Sequence, residues 1–98
     1  MITQIKTRND AVTYLYQSGD ADASFVCNVI SGPRACANQA KRLKKLAQLH
    51  QQGVHIAFAQ FAIFELRLDG RHVSWEAFDA LTVPQLLFKC DMNTKVED

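Results

Sequence analysis

Residues 20–33 read DADASFVCNVISGP, and whether this stretch is helix or strand decides the fold. Asp20 or Asp22 can cap a helix, because a short carboxylate accepts the backbone N–H groups that have no partner inside the first turn. Against that, Phe25-Val26-Cys27-Asn28-Val29-Ile30 is rich in the β-branched and aromatic residues that favour strands. Both readings stay open at this level. A helix makes the N-terminal half an all-helical unit; a strand makes a mixed sheet with a crossover helix and favours protein binding. Gly32-Pro33 closes the segment in either case, the glycine tolerating unusual dihedrals and the proline suiting the first turn of a following helix.

The next stretch, residues 34–53, reads RACANQAKRLKKLAQLHQQG. It holds five basic residues, Arg34, Lys41, Arg42, Lys44 and Lys45, and no acidic one. Cys36, Ala40, Leu43 and Ala47 recur at helical spacing, and Leu46 and Leu49 widen the stripe, so the pattern predicts a helix over about 34–52 with that face inward. Arg34, Asn38, Lys41, Lys45, Gln48 and Gln52 fall on the opposite face. Gly53 supplies the left-handed cap that stops the helix.

Upstream, Thr7 reads as an N-cap with Asp10 three residues on, a carboxylate well placed for the positive end of a helix over about 8–17. Ala11, Val12, Tyr14 and Leu15 form its buried face, Ile5 is a staple ahead of it, and Gly19 ends it. Downstream the period changes. Val54, Ile56 and Phe58 alternate as in a strand, and Phe61–Leu68 is a second extended run ending in Asp69-Gly70, a strong signal for a two-residue hairpin turn. That register opposes Arg67 to His72 and puts Phe64, Leu66, Val73 and Trp75 on a core face, with Glu65, Arg67, His72 and Ser74 on a wet one. A short helix over about 75–81 follows. Thr82-Val83-Pro84-Gln85 then reads as a capping box opening a last helix over about 83–90, with 91–98 a frayed polar tail.

Ninety-eight residues, 48% apolar and 21% charged, suit one soluble domain with a packed core. Neither a membrane-length apolar run nor a signal-type leader is present, which points to the cytoplasm and away from a membrane. Cys27, Cys36 and Cys90 match neither a disulfide framework nor a metal knuckle and read as free thiols. His50, His55 and His72 lack carboxylate or cysteine neighbours at ligand spacing, so no metal and no cofactor are expected. Glycine-rich phosphate loops and paired acidic motifs are absent, and the expectation is a non-enzymatic protein. Charge is uneven: residues 1–33 carry two basic and three acidic groups, residues 34–53 five basic ones, and residues 54–98 four basic and seven acidic ones, for a net +1.

The string Leu46-Ala47-Gln48-Leu49-His50-Gln51-Gln52-Gly53-Val54-His55-Ile56 resembles the end of the recognition helix and the start of the wing in winged helix-turn-helix DNA-binding regulators of phage and plasmid type. The likeness covers roughly residues 7–75. It implies a small α+β domain: N-terminal helices, a β-hairpin and short C-terminal helices, acting as a DNA-binding regulator or accessory factor. The helix 34–52 would then lie in the major groove, with Arg34 and Asn38 reading bases and Lys41, Arg42 and Lys45 holding phosphates. Hairpin 61–75 would be the wing, touching the backbone or minor groove through Arg67, Arg71 and His72. The alternative is a protein-interaction module, an inhibitor or adaptor, that offers the basic helix to an acidic surface.

The aromatics Phe58, Phe61, Phe64, Trp75, Phe78 and Phe88 are expected in the core. Successive apolar positions Phe61-Ala62-Ile63-Phe64 give the strand two apolar faces, which suggests cover from a second subunit in a homodimer, or an assembly role for the hairpin.

Overall fold

The computed structural model describes residues 4–32 and 38–96. The order is α1 (Arg8–Gln17), α2 (Ala21–Ile30), α3 (Gln39–Gln51), β1 (Ile56–Ala59), β2 (Ala62–Leu68), β3 (Arg71–His72), α4 (Trp75–Ala80) and α5 (Val83–Val96). It is the α+β layout that the sequence predicts.

The segment left open resolves as helix. Asp20 caps α2, its Oδ1 accepting from the backbone N–H of Asp22 at 3.0 Å and of Ala23 at 3.4 Å. Ala23, Val26, Cys27 and Ile30 then fall at i, i+3, i+4 and i+7, and all four are buried. Burial of that stripe outweighs the strand preference of the individual residues. At α1 the N-cap read at Thr7 forms, and the structure makes it reciprocal: the Asp10 N–H donates to Thr7 Oγ1 and the Thr7 N–H to Asp10 Oδ2.

α3 starts at Gln39 with Asn38 as its N-cap, so Ala40 sits in the first turn. Ala40 is exposed, a correction to the inner stripe, while Leu43, Leu46, Ala47 and Leu49 are buried. Cys36 and Arg34 lie outside the described residues. At the C-terminus the Val54 N–H returns to the Leu49 carbonyl at 3.1 Å and the Gly53 N–H to His50 at 3.0 Å. That double return is a Schellman cap and needs the left-handed backbone of Gly53, φ 94°.

The three strands pair antiparallel in the order β1-β2-β3, with Ile56 opposite Leu68, Phe58 opposite Leu66 and Arg67 opposite His72. Asp69 and Gly70 both have positive φ, 52° and 80°, which is the signature of a type I′ turn. The two hairpins are unequal. β3 has two residues, whereas β1 and β2 form a longer ribbon whose turn is at Gln60-Phe61 and whose register is bulged between Phe58 and Ala59.

One core fills the space between the helices and one sheet face. It joins Leu15 of α1, Val26 of α2, Leu43 and Leu46 of α3, Ile56, Leu66 and Leu68 of the sheet, Phe78 of α4 and Leu86 of α5. Phe64, Phe61 and Phe88, expected inside, are exposed. Phe64 shares its sheet face with Leu66, but the core ends at Trp75 and Phe58, one pair short of it. The Thr82-Gln85 capping box forms, the Thr82 N–H donating to Gln85 Oε1 at 2.8 Å and the Gln85 N–H to Thr82 Oγ1 at 3.3 Å. α5 runs on to Val96, beyond the boundary near residue 90 read from sequence.

Candidate interaction surfaces

The basic helix is divided by what its neighbours offer. Arg42 reaches α4, where Nε and Nη2 donate to the two oxygens of Asp79 at 3.0 and 2.7 Å, and its guanidinium lies 4.4 Å from the Trp75 ring centroid. The bidentate fork and the stacked indole are the geometry that arginine prefers. The Arg42 hydrogen bonds hold the Asp79 carboxyl below the usual carboxylate range.

Lys45 is turned the same way. Its Nζ donates to the carbonyls of Leu81, Phe78 and Asp79 at 2.6, 2.8 and 3.2 Å. These are the oxygens that the end of α4 leaves without intrahelical partners, so the ammonium caps a negative helix end. Desolvation by burial lowers the Lys45 pKa. Both residues were read as phosphate holders, and both spend their charge on α4.

What remains outward on α3 is narrower. Lys41 is exposed, Lys44 and Gln48 are half-buried, and Asn38 is exposed at the N-cap without a side-chain cap bond. Gln39 is drawn inward, accepting from Arg8 Nε at 2.7 Å and donating to the Ile30 carbonyl at 2.9 Å. At the hairpin, Arg67 pairs with Glu65 at 3.0 Å, His72 stands 3.8 Å from the same carboxylate, and Arg71 lines a cavity of about 330 Å³ beside Leu86 and Lys89. Arg34 lies outside the described residues. The structure therefore brings Arg42 and Lys45 together on α4, and Arg67 and His72 together on Glu65.

Two histidines make long-range contacts that their spacing in sequence does not announce. Asp20 Oδ2 can only accept, so the His50 Nε2–H donates to it at 3.0 Å, and Nδ1 on the other side of the ring is hydrogen-bonded to the Tyr14 hydroxyl at 2.7 Å. Burial works to raise the Asp20 carboxyl, yet the His50 bond and the capping N–H groups bring it below its usual value. Desolvation raises the Tyr14 phenol above its usual value. The chain Tyr14–His50–Asp20 thus pins α1, α3 and α2 together.

Beside it His55 Nε2 meets Asp22 Oδ2 at 2.8 Å, and the His55 N–H donates to Asp69 Oδ1 at 2.8 Å. Donor atoms of Asp20, Asp22 and His55 lie within 4.8 Å of one another, the nearest thing to a metal-binding set among the described residues. Asp20 already accepts three hydrogen bonds, two at Oδ1 as the N-cap of α2 and one at Oδ2 from His50.

The third surface is apolar. On the β1–β2 ribbon Phe61 is 93% exposed, Phe64 72% and Ile63 54%. Separately, a row of edge-to-face rings runs Phe25 on Phe58 at 6.0 Å, Phe58 on Trp75 at 6.4 Å and Trp75 on Phe78 at 5.4 Å. The row leads from the exposed Phe25 to the buried Phe78. The signal was present in the sequence as four successive apolar residues where a one-sided strand alternates.

No protein-family model, curated protein or solved structure matches the chain. Among the described residues no helix is long and apolar enough to cross a membrane.

Proposed function

We propose that the protein is a non-enzymatic protein-interaction module whose docking element is the β1–β2 hairpin. One observation carries this: Phe61, Ile63 and Phe64 project from the ribbon outside the core. Three large apolar side chains in one short ribbon cost free energy in water and recover it against a partner. A photoreactive phenylalanine analogue at position 61 tests the reading in extract of the producing cell. Cross-links to protein from position 61, lost in a Phe64→Asp background and not reproduced from Lys41, are expected. Equal labelling from both positions would count against it.

A second reading, the winged-helix regulator acting on DNA, draws on the Lys41–Lys44–Gln48 ridge of α3 and on the order of three helices followed by a hairpin. The residues between α2 and α3, 31–38, are more than the three or four of a tight helix-turn-helix. Its test is retardation of random duplex at low salt. Lys41→Ala should weaken binding across all sequences and Asn38→Ala should relax sequence preference. No shift at tens of micromolar protein would remove this reading.

A further inference from the structure

β3 pairs with β2 at Arg67 and Leu68, so among the described residues no strand covers this edge of the sheet beyond Leu66. The even-numbered residues of β2 aim their backbone groups at that edge: the Leu66 carbonyl accepts from the Val73 N–H at 3.0 Å, and the Phe64 carbonyl from the Trp75 indole at 2.8 Å. An open groove runs alongside, walled by Ala62, Ile63, Phe64, Val73 and Trp75. Phe61, next in sequence to Ala62, is the most exposed large apolar side chain among the described residues.

We infer that the occupant of this groove is a second copy of the chain, paired antiparallel along the β2 edge about a two-fold axis at Ile63. The inference rests on the docking reading above and names its partner. Knob and groove lie on one surface, and a two-fold axis satisfies both at once because the same patch serves each copy. In this register Ala62 faces Phe64 of the second copy, and both have their backbone groups on the open edge, as a hydrogen-bonded antiparallel pair requires. The Phe64 carbonyl keeps a lone pair beside its bond to the indole. Phe61 then falls opposite Glu65, over the groove of the other copy.

Charge favours the same occupant. Of the groove's lining, Glu65 and His72 are the titratable groups, and Glu65 is already paired with Arg67 at 3.0 Å and stands 3.8 Å from His72, so no unpaired carboxylate faces a second copy across the axis. Area agrees as well. With roughly 200 Å² for each large apolar side chain, the fractions exposed at Phe61, Ile63 and Phe64 amount to about 400 Å² per copy. The three pairs alone then supply over half of the roughly 1,200 Å² at which stable interfaces begin, before backbone and groove walls are added.

Sedimentation equilibrium from low to high micromolar protein tests the partner, and a cysteine at the axis tests the register. The wild type should be dimeric. Phe61→Asp should weaken the dimer at least tenfold while circular dichroism and the thermal midpoint of the monomer stay unchanged. Opposed residues at a non-hydrogen-bonded site stand about 4.5 Å apart at Cα, within disulfide reach. Ile63→Cys should therefore cross-link under mild oxidation above the baseline set by the three native cysteines, and Gln60→Cys should not. A wild type that is monomeric at high micromolar, or equal cross-linking from positions 60 and 63, overturns the inference. If that monomer still labels a different protein from position 61, the second copy falls and the docking reading stands; no labelling at all removes both.

Discussion

At the scale of single residues, α3 shows how the same side-chain chemistry serves two ends. A lysine or arginine on a helix flank is equally suited to a phosphate and to the carbonyls of a neighbouring helix end. In this fold Asp79 and the end of α4 take Arg42 and Lys45, and both lie more than thirty residues further along the chain. That is why the sequence makes the basic stripe legible but not its use. Lys45→Ala should lose on the order of 1–2 kcal/mol of stability, since it strips a charged donor from three carbonyls in a part-buried site. Lys41→Ala, on the exposed side, should stay within about 0.5 kcal/mol in the same urea titration. The Asp79 carboxyl, held below its usual value of 3.8 by Arg42, sets an acid limb. A folded-state pKa below the unfolded one gives stability that is full above the unfolded value and is lost as pH falls through the folded one. The stability gap between wild type and Asp79→Ala should therefore be widest above the usual carboxylate range and narrow as pH falls below it. A gap independent of pH would mean that the pair contributes nothing.

At the scale of elements, the caps were legible because their partners are three or four residues away. Thr7 with Asp10, Thr82 with Gln85, and Gly53 with Val54 all form as the sequence reads. α2 was not decided, because its Ala23-Val26-Cys27-Ile30 stripe competes with the β-branched character of the same residues, and only the surrounding core chooses between them. The hairpin shows the converse. Its register at Arg67–His72 followed from Asp69-Gly70, yet the exposure of Phe64 depends on where the core runs out. Two substitutions separate local from tertiary terms here. Gly70→Ala should destabilise by about 1–2 kcal/mol through its left-handed backbone alone, since nothing lies within 4 Å of an added Cβ. Thr82→Ala should cost about 1 kcal/mol by opening the capping box of α5. Both are read as shifts in the urea midpoint at constant slope, and a change in slope would show that more than the local element had been disturbed.

At the scale of the whole molecule, Tyr14–His50–Asp20 ties the three helices to one another, Asp22–His55 joins α2 to the start of the sheet, where Asp69 holds the His55 N–H, and Arg42–Asp79 ties α4 to α3. This leaves two dissimilar surfaces: a neutral apolar hairpin and a narrow basic ridge of Lys41 and Lys44. Salt distinguishes them. Apolar association at the hairpin should hold or strengthen as salt rises, because burial of such surface is not screened. Any binding to duplex through the ridge should instead fall with salt. Each lysine that neutralises a phosphate contributes about −0.9 to the slope of log affinity on log salt, so two give about −2. With Arg42 and Lys45 held on α4, neither adds to that slope. A measured slope near −4 would mean that both leave Asp79 and the α4 carbonyls to reach phosphate, and the acid limb assigned to Asp79 would then shrink in the DNA-bound protein. A slope near −2 that falls by about one in Lys41→Ala and is unmoved by Asp79→Asn is the outcome expected of the fold as it stands.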